Sequence, residues 1–168
     1  MKKTMTTLIL VLLPLMLAAQ ADPIDKLFDK YGEKEGYTTV YISKKMFEMA
    51  SAMEMDDPEV QELVKNLTRI RILASDDVEE AGVNFFDELK NDFPFGQFEE
   101  LMTVHEKDQD VRFLVKEVDG KISHLVLIVG GADNALISIE GLIDLKNIGK
   151  LSSGLGIEEL DHLEDSLQ

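Results

Sequence analysis

Asp119-Gly120 separates two mainly apolar runs, Val111–Val118 and Lys121–Val129. A two-residue Asp-Gly linker favours positive φ at both positions and closes a tight antiparallel hairpin. Such a turn fixes which residues face one another, and side chains alternate between the two faces of each strand. Counting outward from the turn sets Val115 opposite His124, Phe113 opposite Val126 and Val111 opposite Ile128. One face then carries Val111, Phe113, Val115, Ile122, Val126 and Ile128, with Glu117 and His124 near the turn. The other carries Arg112, Lys116, Lys121 and Ser123 beside Leu114, Leu125, Leu127 and Val129. The first is the expected core face.

The next reversal is Gly130-Gly131-Ala132-Asp133-Asn134. A four-residue loop, Gly130 to Asp133, turns Ala135, Ile137, Ile139, Ile143 and Leu145 to the core. A five-residue loop reverses this and turns Ser138, Glu140 and Asp144 inward. An unpaired buried polar group costs about 1–3 kcal/mol, so the shorter loop is expected. The glycines then have a local conformational task. A dinucleotide loop needs three spaced glycines between a strand and a helix, and a phosphate loop needs a terminal Gly-Lys-Ser or Gly-Lys-Thr. Neither pattern is present, and the segment lacks the alternating oxygen ligands of a calcium loop.

The remaining pattern supplies partners for this hairpin. Asp22-Pro23 and Asp57-Pro58 are helix starts. Tyr37–Ile42, Thr68–Leu73 and Glu99–His105 read as strands. Ser43 is placed to cap a helix bearing Met46, Phe47, Ala50 and Met53. Asp76 or Asp77 is placed to cap another, with the stripe Val78, Gly82, Phe85, Phe86 and Leu89. Ile157, Leu160, Leu163 and Leu167 mark a short terminal helix. The expected fold is α+β: an antiparallel-rich sheet of about six strands with helices packed mainly on one face.

Residues 1–21 read as a cleaved signal peptide. Lys2 and Lys3 precede an apolar run from Leu8 to Leu17, and Ala19-Gln20-Ala21 supplies the small residues of a cleavage site. That run is shorter than the roughly twenty residues of a membrane span. Residues 22–168 then form a single domain, exported to the periplasm or the extracellular space. Without the leader, 15 basic residues stand against 33 acidic ones, a formal charge of −18. Such a charge repels nucleic acid and anionic lipid. The chain has no cysteine, which removes disulfides, thiol catalysis and thiolate-ligated metals.

No catalytic, cofactor-binding or metal-binding set stands out. His105, His124 and His162 follow no ligand spacing, and His124 near Glu117 reads first as a hydrogen-bonded histidine at the sheet margin. Acidic pairs at helix starts complement the helix dipole. Met46, Met49, Met53 and Met55 read as core filling, with an adaptable partner-binding groove as the sharper alternative. The best candidate partner-binding face combines Arg69, Arg71, Arg112, Leu114, Lys116, Leu125 and Leu127. The rival for its charged members is a set of surface ion pairs with Glu140 and Asp144, each worth little.

Residues 113–151, FLVKEVDGKISHLVLIVGGADNALISIEGLIDLKNIGKL, resemble the C-terminal signature of an exported bacterial family of unknown function, DUF4252. The Asp-Gly hairpin, the apolar run before Gly-Gly and the segment Ile139-Glu140-Gly141-Leu142-Ile143 carry the likeness. The strand and helix order from Tyr37 onward also fits. The resemblance implies an exported α+β protein with no assigned activity and transfers no catalytic residue. Some relatives have a lipoprotein cysteine after the leader, which this chain lacks. The expected function is a non-enzymatic binding or regulatory module of the cell envelope, recognising an envelope protein or a small apolar ligand without a cofactor. A small secreted hydrolase and a structural or adhesive surface protein are the alternatives.

Overall fold

The computed structural model describes residues 22–53, 58–75, 83–131 and 133–143. The elements run α1 (Pro23–Tyr31), β1 (Tyr37–Ser43), α2 (Lys44–Ser51), α3 (Pro58–Asn66), β2 (Leu67–Ser75) and α4 (Phe85–Leu89). A 3-10 turn (Phe95–Gln97) then leads to β3 (Glu99–His105), β4 (Gln109–Val118), β5 (Lys121–Gly131) and β6 (Ala135–Ile143). All six strands form one antiparallel sheet in the order β1-β2-β6-β5-β4-β3. Strands β3 to β6 make a meander, and β6 lies beside β2. The expected leader and terminal helix lie outside the described residues, as do Asp57, Asp76 and Asp77.

Local chemistry explains the ends of several elements. The Asp22 carboxylate accepts from the Ile24 amide at 3.0 Å, and Pro23 opens α1 as expected. Asn84 caps α4 by accepting from the Asp87 amide at 3.1 Å, so this helix begins at Phe85. Ser43 precedes α2 without a side-chain capping bond.

The Asp119-Gly120 turn has φ values of 53° and 74° and pairs Val118 with Lys121, as the sequence requires. Past the turn the ladder shifts. Glu117 faces Ile122 but Lys116 faces His124, so Ser123 is the extra residue of a β-bulge. Leu125 then faces Val115, and Leu127 faces Phe113. The following loop is also longer than expected. Val129 pairs with Ala135 and Leu127 with Ile137, which leaves five residues, Gly130 to Asn134, in the reversal. The two departures offset one another: Ile137 and Ile139 still share the face of Phe113 and Val115, while β5 alone is turned over.

The sheet is buried on both sides. Phe113, Val115, Leu125, Leu127, Ile137 and Ile139 form one core with Phe47 of α2 and Leu63 of α3. Leu73, Leu114, Val126, Ile128 and Leu136 form the other with Ile24 and Leu27 of α1 and Phe85 and Leu89 of α4. Helices mainly on one face were expected, whereas described helices pack on each. The cause lies in β5. Leu125, Val126, Leu127 and Ile128 are consecutive and each is at most 3% exposed, so both sides of the strand need apolar cover.

The glycine loop is a junction between elements. A Cβ on Gly130 would stand 2.1 Å from Asn84 Oδ1 and 2.9 Å from the Phe86 nitrogen. Asn134, 6% exposed, accepts from the Phe85 amide at 2.9 Å and donates to the carbonyls of Val83 and Gly131. The loop's polar groups are thus turned onto the segment leading into α4.

Candidate functional site

A polar row crosses the sheet on the α1 side. Arg69 of β2 pairs with Glu140 of β6, Glu140 with His124 of β5, and His124 with Lys116 of β4. Directly opposed residues share a face, so these four side chains emerge together. One pair further along the strands, Arg71 faces Ser138. Sequence reasoning assigned Arg69, Arg71 and Lys116 to one side of the sheet, and they do share one. It also offered Glu140 as an ion-pair partner for these cations, and Arg69 and Arg71 both bond it, but it missed Ser138 and the two aspartates at the start of α1.

Arg71 is the hub. Its side chain is 3% exposed. It bonds Asp25, reaches Asp22 Oδ2 at 3.4 Å, donates to Glu140 Oε1 at 3.1 Å and lies 3.4 Å from Ser138 Oγ. The guanidinium also lies 5.9 Å from the Phe28 ring centroid. Glu140 accepts a two-pronged contact from Arg69, through Nε at 2.9 Å and Nη2 at 3.0 Å. Two arginines therefore neutralise the Glu140 carboxylate. Through Asp22 and Asp25 the same cluster fastens α1 to the sheet. A rigid guanidinium fork suits this task better than a lysine point charge.

His124 Nε2 lies 2.9 Å from Ser138 Oγ, and its ring meets Phe98 edge-on with centroids 5.4 Å apart. Burial lowers the His124 pKa below its ordinary 6.5. Glu140 and Asp22 oppose the shift, and Arg71 and Arg69 add to it. A histidine depressed in the folded state takes up its proton more readily when unfolded. Its contribution to stability is therefore complete above about pH 6.5 and is lost as pH falls toward the folded value, by at most about 1.4 kcal/mol per pH unit. Denaturant titrations near pH 7.5 and near pH 5.5 should show a larger acid loss in the wild type than in His124→Gln. Equal losses in the two proteins would remove His124 from the pH response.

A serine beside a histidine invites comparison with a nucleophile and its base. Ser138 is 0% exposed and its Oγ is also near Arg71, so a substrate carbonyl has no approach to it in this conformation. Among the described residues, no three His, Cys, Asp or Glu side chains converge as a metal-ligand set. The crevice between α1 and α4, about 210 Å³, is bridged by Lys26–Asp92 at 2.9 Å and Lys30–Glu88 at 2.6 Å.

The seven residues expected to form a partner-binding face do not share one open surface. Leu125 and Leu127 sit on the α2 side of the sheet, opposite the arginines, because the Ser123 bulge turns β5 over. Leu114 is on the arginine side but is 0% exposed, lying in the core that includes α4. Arg112 bonds Glu100 and Thr103 and lies 5.0 Å from the Phe86 ring centroid. Lys116 donates to Gln97 at 2.9 Å.

The exposed apolar surface lies elsewhere. Met46 and Met49, one turn apart on α2, are 57% and 59% exposed, and Met53 just past the helix is 69% exposed. Phe47 is the residue of α2 that enters the core. The expectation that these methionines fill the core is therefore overturned for all three, while Met55 lies outside the described residues. On edge strand β1 leading into α2, Val40 is 36% exposed and faces Ile72 on the α2 side of the sheet, whereas the exposed Tyr41 faces Arg71 on the other side.

A six-stranded antiparallel sheet, helices on both sides and an arginine–carboxylate cluster closed over by α1 together define a small α+β protein whose polar interior holds its layers in place. Residues 31–151 match the family model described as a domain of unknown function, DUF4252, and the chain belongs to that family. No curated protein and no solved structure matches it. No helix among the described residues is long and apolar enough to cross a membrane.

Proposed function

We propose that this protein is an exported, non-enzymatic binding module of the bacterial cell envelope, with residues 22–168 as its single mature domain. Its partner docks on the outer face of α2 and the adjoining edge strand β1. The observation that carries the reading is the exposure of Met46 and Met49 on a helix whose core contact is made by Phe47. Flexible, polarizable methionines suit adaptable interfaces. Val40 of β1, which faces Ile72 on the α2 side of the sheet, adds exposed apolar surface beside the helix. The leader-like residues 1–21 support export, and the mature charge of −18 favours a partner segment that is both apolar and basic.

A photo-crosslinking residue placed at Met49 should join the protein to an envelope component, whereas one placed at Lys30 on α1 should not. Met46→Glu, introduced with the probe at position 49, should abolish the product. Equal yields from the two probe positions, or a product indifferent to Met46→Glu, would contradict the docking surface.

A further inference from the structure

The composition of the α2 surface allows a second chemistry besides adaptable docking. The chain has eight methionines, and four of the five beyond residue 21 fall between positions 46 and 55. Leucine would also make an oily helix face, though a less adaptable one. What methionine adds is a thioether sulfur, a soft donor that selects soft cations such as Cu(I). It requires no deprotonation, and this chain has no thiol to compete with it.

Placement supports ligation. Met46 and Met49 are at i and i+3 on α2, where side chains lie on neighbouring parts of one face. Ala52 keeps a helical backbone at φ −80° and ψ −12°, and the Met53 amide bonds the Ala50 carbonyl at 3.1 Å. Met53 therefore follows Met49 at about the position of the next helical turn. The three positions span roughly 60° of arc on a 3.6-residue helix, and each long side chain is more than half exposed. Low-coordinate sulfur ligation needs a few mobile donors on one side of the ion, and this surface presents three.

We propose that Met46, Met49 and Met53 form a surface site for a monovalent soft cation, Cu(I), held by thioether sulfur. The site shares the α2 face with the docking reading but needs no macromolecular partner, and one substitution separates the two. Replacing the three methionines by leucine keeps the face apolar and helical while removing every sulfur donor.

The test is an anaerobic titration of the purified protein with Cu(I) against a chromophoric Cu(I) chelator. The wild type should withdraw one equivalent of copper. The Met46→Leu/Met49→Leu/Met53→Leu variant should withdraw none, with an unchanged far-ultraviolet circular dichroism spectrum and thermal midpoint. The crosslink from a probe at Val40, on the α2 side of the sheet, should persist in that variant, whose helix face stays apolar. A wild type that leaves all copper with the chelator, or a folded triple-leucine variant that binds as much as wild type, would overturn the site. A wild type that withdraws copper but gives no crosslink from the probe would instead overturn the docking surface alone.

Discussion

Arg71→Met is expected to cost about 2–3 kcal/mol of folding stability, read as a fall in the denaturation midpoint at unchanged m-value. The side chain is 3% exposed and serves Asp22, Asp25, Ser138 and Glu140 together. Methionine fills similar volume but leaves carboxylates and a buried hydroxyl without their cation. Removing one member of a buried ion cluster typically costs about 3–5 kcal/mol. The lower figure applies here because Asp25 is 50% exposed and Arg69 still holds Glu140. Arg69→Met, at a side chain 33% exposed, should cost clearly less, about 1 kcal/mol. A midpoint for Arg71→Met within error of wild type would show that the cluster does not fasten α1 to the sheet.

Gly131→Ala should be comparably damaging, at about 3 kcal/mol. Gly131 has φ +144°, and a Cβ there would stand 2.2 Å from the Asp108 carbonyl oxygen and 3.0 Å from Gln109 Cα. The obstructing atoms are backbone, and Gln109 is the residue Gly131 faces in the β4–β5 ladder, so they cannot swing away as a side-chain tip would. Gly120→Ala is the control. It shares positive φ, at 74°, but a Cβ there meets nothing within 4 Å, so only conformational strain of about 1–2 kcal/mol remains. Equal costs at the two positions, measured by denaturant titration, would mean that the close approach at Gly131 is relieved by movement of the backbone.

Strand positions were largely legible in the sequence because their cues are local. Glu99–His105 appears with the expected bounds, and the Asp119-Gly120 turn was readable from two residues. The bulge was not. Ser123, between Ile122 and His124, is neither glycine nor proline, so nothing in the local sequence announces an extra residue. The longer loop turns Ser138 and Glu140 toward the Phe113 face only if β4 and β5 pair without a bulge; with the Ser123 bulge it leaves Glu140 on the arginine side, where ion pairs were the expected rival to an open face. Arg69 and Arg71 lie about seventy residues earlier in the chain, and the β2–β6 pairing brings them to Glu140. The apolar run from Leu125 to Val129 did carry the signal for burial on both sheet faces, since a one-sided strand alternates and this one does not.

The methionines failed for a different reason. Periodicity identifies a stripe but not which side of the helix meets the sheet. Phe47 takes the inward position on α2, and Met46 and Met49 are left facing solvent. The arginine face is occupied by α1 and ion pairs, and the open apolar surface is the methionine side of α2, which periodicity alone assigns mainly to the core.

The cluster depends on the register of β2 against β6 and, for His124, of β5 against β6, so cross-strand nuclear Overhauser effects test the account most directly. The structure predicts backbone contacts joining Ile70 to Ile139 and Ile72 to Ile137 across β2 and β6, and Leu127 to Ile137 and Leu125 to Ile139 across β5 and β6. Contacts joining Arg71 to Ile137 or to Ile139 instead would turn Ser138 and Glu140 away from the arginines and contradict the cluster.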